Sequence, residues 1–229
     1  MARLNGLEII CAVPVPGQFS RDVFLSVYPM WLGMTAAMML PTLVPTLRAY
    51  DDLIVSVGPS AGADRLGWLG IVAGFFAVWA FGSVGFAIAQ TGLAGLGLVD
   101  HAGVAQLGYI AAALLVIAGL WQFTSTKEHC RDACLSPAAY FIGRWRPGIT
   151  GALRMGAGLG MFCIGCCWAL MALAFVGGIM NLVFMGLATA MMIVEKLPQI
   201  GRRVTRPLGI ILVVAGVAQL AMPQLLLGV

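Results

Sequence analysis

Three cysteines stand close together in a stretch, residues 155–185, that contains no charged side chain. Cys163, Cys166 and Cys167 occupy positions i, i+3 and i+4, and this spacing places them on one face of a helix. Met171 continues the same face one turn later. Thiolate and thioether sulfur atoms are the ligands that soft metal ions prefer. The pattern therefore predicts a soft-metal site made of these residues, whereas cysteines that only pack as small apolar side chains are the alternative interpretation.

Methionines form a second sulfur-bearing stripe in the first apolar segment of the chain. Met30, Met34 and Met38 are four residues apart and share a helical face, and Met39 is expected to point away from that face. A thioether binds Cu(I) without first losing a proton. Met34 and Met38 are therefore predicted as further ligands, and the alternative is a stripe of flexible core packing.

A third stripe mixes polar groups with thioethers. Asn181, Met185, Ala188, Met192 and Glu195 follow steps of four, three, four and three residues, which keeps them on one helical face. Among them we take the asparagine, the first methionine and the glutamate as candidate metal ligands. The asparagine is alternatively a helix cap, and the glutamate is alternatively an anchor that reaches the membrane surface.

The polar segment after the third apolar run carries a cysteine pair. Cys130 and Cys134 are four residues apart, so on a helix both would face the same way. Lys127 and Arg131 flank them, and neighbouring cations favour the thiolate form that binds metals. A structural zinc site normally supplies four ligands, and this segment adds no second pair of cysteines or histidines. Cys130 and Cys134 are thus candidate metal ligands, with a reduced, partly buried thiol pair as the alternative.

The composition indicates a membrane protein. Of the 229 residues, 61% are apolar and 10% are charged, the mean hydropathy is +0.97, and soluble domains carry about 25% charged residues. We expect an all-α, polytopic membrane helix bundle of about six transmembrane helices, because about 20 apolar residues cross the hydrocarbon core. The expected spans are 23–47, 66–90, 102–123, 153–176, 180–195 and 208–226. Residues 1–22 then form an N-terminal tail, and residues 23–229 form one transmembrane domain.

The distribution of basic residues predicts the orientation of this bundle. Of the 13 Lys and Arg residues, all but Arg3 and Arg21 fall on the side of the loops that follow the first, third and fifth spans. Cytoplasmic loops carry the excess of positive charge, so the loop at about 124–152 is expected in the cytoplasm and both termini in the periplasm. Topology accounts for the basic residues, and we therefore expect the lipid bilayer as a partner and no nucleic acid. The lone residues Cys11 and His101 receive no role.

Several of these residues belong to a longer pattern. Its members are Trp31, Met34, Ala37, Met38, Met39 and Pro41, then Gln122, Lys127, Cys130, Cys134 and Pro137, the Cys-x-Gly-Cys-Cys-Trp-x-Leu-Met run from Cys163 to Met171, and finally Met180, Asn181, Leu182 and the Glu195-Lys196 pair. In this order the chain resembles a bacterial domain-of-unknown-function family whose members are predicted metal-binding integral membrane proteins. The departures fall in the polar segment, where for example Trp121 replaces a tyrosine. The resemblance implies a multi-pass protein of the bacterial inner membrane that binds metal, and it implies no particular reaction.

These patterns lead to two main functional hypotheses. The first is a protein that binds a soft transition metal, with Cu(I) preferred and zinc or iron as alternatives, and handles it or delivers it to a metal-accepting client. The second is a subunit or assembly partner of a membrane oxidoreductase complex, similar to a copper monooxygenase, or a purely structural subunit, because 30 glycines suit lateral packing with other membrane subunits. No histidine cluster, membrane carboxylate pair or nucleophile with a base is present, so we expect no catalytic site.

Overall fold

The computed structural model describes residues 21–57, 66–99, 105, 108–178, 181–197 and 200–221. Apart from one isolated bridge between Val99 and Ala105, the regular structure in these ranges is helical. The expected all-helical class is therefore confirmed. Residues 1–20, which make up most of the expected tail and include Cys11, lie outside the described residues, and so does His101.

The helices within the described ranges follow one another with short connections. They are α1 (Arg21–Val57), α2 (Gly67–Gly95), α3 (Gly108–Trp121), α4 (Ser125–Leu135), α5 (Pro137–Arg144), α6 (Gly148–Ala172), α7 (Ala174–Gly177), α8 (Leu182–Glu195) and α9 (Gly201–Ala221). The segment expected as a loop at about 124–152 thus contains α4, α5 and the start of α6.

Four helical stretches are long and apolar enough to cross a membrane. They are Val23–Ser56, Gly67–Gly95, Gly148–Gly177 and Gly201–Ala221. Helices α3 and α4 together are also long and apolar enough, but they meet at an angle of 65°. They add a fifth candidate if the pair counts as one broken span. Helix α8 is apolar but has 14 residues, or about 21 Å at 1.5 Å per residue, against a hydrocarbon core of about 30 Å. The expected number of about six transmembrane helices is therefore not confirmed.

Glycines allow α2 and α6 to run parallel in close backbone contact. A methyl group at Gly74 would overlap the Leu153 carbonyl of α6, and one at Gly156 would overlap the backbone of Ile71 on α2. Without a hydrophobic driving force between helices in lipid, such small residues let backbones approach and pack. Helix α6 becomes the most enclosed candidate span, with 61% of its most apolar window buried, compared with 28–33% for the others. The cysteines of α6 are consequently enclosed by neighbouring helices.

Helix α3 leads the chain to the middle of α6 and then turns. The Trp121 indole Nε1 donates to the Gly165 carbonyl of α6 at 3.1 Å, and the side chain of Thr124 caps the next helix by accepting from the Lys127 N–H. Helix α4 then packs against α6 with the Cys130 sulfur at Gly165, where a methyl group would overlap it. This turn places the second cysteine pair beside the first cluster.

Candidate metal centre

The cysteines of α6 form a compact buried cluster. Cys163, Cys166 and Cys167 are each at most 3% exposed, and their three sulfur atoms lie within 4.8 Å of one another. The sulfur atoms of Cys166 and Cys167 are 3.1 Å apart, and the Cys166 thiol donates to the Cys163 carbonyl at 3.2 Å. Three soft donor atoms at these separations are able to share one metal ion.

Helix α1 adds a thioether to this cluster. The Cys163 sulfur lies 3.7 Å from the Met39 sulfur, so the methionine at the cluster is one that lies outside the predicted stripe of Met30, Met34 and Met38. Helix α1 packs against more than one neighbour, and Met38 and Met39 are consequently both buried. Met34 is half-buried and packs against the hydrophobic core. A single helical face was therefore too narrow a criterion for choosing among these methionines.

Helix α4 brings one more thiol. Cys134 lies close enough to Cys163 and Cys166 for the thiols to interact. Cys130, one turn earlier on α4, is half-buried against Gly165. Both cysteines are free thiols. The polar segment thus places both of its cysteines beside the cluster of α6.

A lysine lies directly at the cluster. The Lys196 ammonium, at the C-terminal end of α8, donates to the Cys163 sulfur at 3.1 Å and to the Thr42 hydroxyl at 3.0 Å. A neighbouring positive charge stabilises a thiolate relative to a thiol. Sequence reasoning missed this residue as part of the site, although the Glu195-Lys196 pair in the family pattern was a signal.

Glu195 forms an ion pair inside the bundle. Its two carboxylate oxygens lie 3.0 and 2.9 Å from the Lys127 ammonium, which also donates to the Gln122 side-chain oxygen. Glu195 is 3% exposed and Lys127 is fully buried, so the alternative of a surface anchor is wrong for Glu195. Both oxygens are engaged by an ammonium group, which ties α8 to α4.

Three candidates remain, namely Asn181, Met171 and Met185. Asn181 is the N-cap of α8, and its side-chain oxygen accepts from the N–H groups of Val183 and Phe184, both at 3.1 Å. This is the capping role that the sequence left open. Met171 is buried in the core of α6, and Met185 packs against the core from α8.

Together these features define a class of protein: a helical bundle with several apolar helices compatible with a membrane and a buried cysteine cluster able to hold a metal ion. Residues 28–219 match the PpoB2 copper chaperone family, and the chain belongs to that family. The resemblance to a family of metal-binding membrane proteins is thereby confirmed, and every candidate ligand lies inside the matched range. No curated protein and no solved structure matches the chain.

Proposed function

We propose that this protein binds Cu(I) at the cysteine cluster within a membrane and delivers it to a client protein. The single observation that carries the proposal is the set of three thiols within 4.8 Å of one another in a buried position. The Met39 thioether, 3.7 Å from the Cys163 sulfur, would add a donor from a second helix, and the neighbouring Cys134 thiol would add one from a third. Soft thiolate and thioether ligands favour Cu(I), whereas oxygen-rich sites favour magnesium, calcium or manganese.

The local charge also favours a monovalent metal ion. A Cu(I) ion bound by two thiolates carries a net charge of −1, and an unbalanced charge in an apolar interior is costly. The Lys196 ammonium, 3.1 Å from Cys163, would bring the sum to zero. A divalent ion with the same two thiolates and the lysine would leave one positive charge uncompensated. Cu(I) is therefore the metal that the surroundings accommodate best with two thiolates.

The delivery step rests on the copper chaperone family and on the form of the site. Copper that serves a client must be released, and the cluster is built on three separate helices whose relative movement would change the number of sulfur ligands. The long apolar helices support a location in a membrane, and we assign the protein to a bacterial inner membrane. The hypothesis of an oxidoreductase subunit stays a prediction, since no contact in the described residues favours it.

The decisive experiment is elemental analysis of the detergent-purified protein after expression with copper, zinc and iron supplied. The test variant is Cys163→Ser with Cys166→Ser and Cys167→Ser. The matched control is Met161→Leu, which changes a sulfur residue on the same helix that is 65% exposed. We expect about one copper per chain in the wild type and the control, with copper–sulfur scattering in X-ray absorption, and loss of copper in the triple variant.

Two results would contradict the proposal. Copper retained by the triple variant would show that the three cysteines are not the ligands. Stoichiometric zinc or iron in place of copper would show that the site binds a different metal. Delivery is tested separately in cells that produce the triple variant. Client copper enzymes should then lose activity, and added copper should restore it only partly; unchanged activity would argue against delivery even if copper binds.

A further inference from the structure

A cavity of about 730 Å³ lies between α5 and the first turns of α6, and its lining contains no cysteine. Three arginines line it, namely Arg144, Arg146 and Arg154, and its lining contains no acidic residue. Within the part of the chain that the structure describes, none of the three has a carboxylate within salt-bridge distance. The cavity therefore presents three positive charges without an acidic partner, and this charge favours an anionic ligand.

One of these arginines is held in place by aromatic rings. The Arg144 guanidinium lies 5.0 Å from the ring centres of both Tyr140 and Phe162. Tyr140 is fixed in turn, because its hydroxyl donates to the Met155 carbonyl at 2.9 Å. A guanidinium stacked on rings keeps its N–H edge available, and that planar edge matches the oxygen atoms of a phosphate. The cavity thus contains a preorganised phosphate-binding group.

The cavity extends from the polar start of a candidate membrane span into the apolar part of that span. Its arginine end lies at the start of the candidate span Gly148–Gly177. Its other end is lined by Met161, about 10 Å further along the helix than Arg154 at 1.5 Å per residue. Trp145 lines the arginine end and stacks on Tyr50 at 5.8 Å, and such aromatic residues concentrate at the level of lipid headgroups. A ligand that fills this cavity has a charged end and an apolar end.

We propose that this cavity binds the phosphate headgroup of an anionic phospholipid, with an acyl chain along the exposed apolar side of α6. Free phosphate shares the headgroup chemistry but would leave the apolar end, including Met161 at 65% exposure, without a partner. Basic pockets between membrane helices on the cytoplasmic side are suited to anionic headgroups. The distribution of Lys and Arg in the sequence predicts that this end of the bundle is cytoplasmic. None of the proposed copper ligands lines this cavity.

The test measures lipid binding by native mass spectrometry and by thermal unfolding in a neutral detergent. The probes are phosphatidylglycerol, phosphatidylcholine and inorganic phosphate. The test variant replaces the three cavity arginines with glutamine. The matched control makes the same change at Arg48, Arg203 and Arg206, which are exposed and lie outside the cavity. The single variants Arg146→Gln and Arg154→Gln, both at exposed positions, keep the test valid if the triple variant does not fold.

We expect phosphatidylglycerol to stay bound to the wild type and the control and to raise their melting temperatures. The triple variant should bind it at least about tenfold more weakly, because it loses the charge-assisted hydrogen bonds between the guanidinium groups and the phosphate. Equal binding of phosphatidylcholine, or unchanged binding by the cavity variants, would overturn the proposal. A full effect of inorganic phosphate alone would also overturn it and assign the cavity to a soluble phosphate compound.

Discussion

At the scale of single residues, Lys196 is the side chain that most directly links the fold to copper chemistry. Its ammonium donates to the sulfur of Cys163 at 3.1 Å, and a positive charge this close to a sulfur atom stabilises the thiolate form. We propose that it supplies the positive charge that a bis-thiolate Cu(I) site needs. Its contact with the Thr42 hydroxyl at 3.0 Å fixes the direction of the side chain.

The variant Lys196→Met removes this charge and keeps a side chain of similar length. We expect Cu(I) affinity to fall by at least about tenfold, or 1.4 kcal/mol, because the site would carry an uncompensated negative charge. Competition with a chromophoric Cu(I) chelator measures the affinity. Lys196→Arg retains the charge and serves as the control, with affinity closer to that of the wild type. Wild-type affinity in the methionine variant would show that Lys196 does not balance the charge of the site.

The sequence predicted some members of the site and not others, for a physical reason. The three cysteines of α6 were predictable because the i, i+3, i+4 spacing places residues together within one helix. Met39 and Cys134 were not assigned to the cluster, because their proximity depends on which faces of α1 and α4 meet α6. Helical periodicity gives the angular position of a residue around the axis of its own helix. It carries no information about how the neighbouring helix is rotated.

At the scale of elements, the docking of α4 on α6 decides whether Cys134 reaches the cluster. The contact point is Gly165, where the Cys130 sulfur occupies the space of a missing side chain and the Trp121 indole binds the backbone carbonyl. Hydropathy predicted the apolar run of α3 but not the 65° bend between α3 and α4. The polar residues of α4 indicated a loop, whereas in the structure they find partners within the bundle. Lys127 and Arg131, for example, are both buried.

The variant Gly165→Ala should push α4 away from α6, because the added methyl group would overlap the Cys130 sulfur. We expect lower thermal stability, by about 1–3 kcal/mol for an overpacked contact, together with weaker Cu(I) binding. Addition of Cys130→Ala removes the sulfur and should restore both properties. Gly85→Ala is the control, since nothing lies within 4 Å of the position that its methyl group would occupy. Failure of the double variant to recover would show that this contact does not set the position of α4.

At the scale of the whole molecule, the polar contacts of α4 hold the helices around the cysteine cluster. The Arg131 guanidinium donates to the Thr205 hydroxyl of α9 at 3.0 Å, and the Lys127 ammonium binds Glu195 at the end of α8 at 2.9 Å. The same end of α8 carries Lys196. The buried ion pair therefore fixes the relative position of the helix that provides Cys134 and the helix that provides the balancing charge.

This arrangement predicts different outcomes for single and double replacement of the ion pair. Glu195→Gln should destabilise the protein by about 3–5 kcal/mol, because it leaves the Lys127 ammonium buried without its partner. It should also weaken Cu(I) binding through displacement of α8. Lys127→Met combined with Glu195→Met removes both charges and should recover most of the stability, because apolar side chains of similar volume replace such pairs at little cost. Thermal unfolding and copper content of each variant measure the two effects.

The double variant also separates the two roles considered for Glu195. If its carboxylate only positions α8, a stable double variant should retain about one copper per chain, since the sulfur ligands and Lys196 are unchanged. If the carboxylate is itself a copper ligand, the double variant would recover stability and still lose copper. Equal destabilisation of the single and double variants would instead show that this region is stabilised by packing around the two side chains and not by the ion pair. The buried geometry, with both carboxylate oxygens on one ammonium, favours the positioning role.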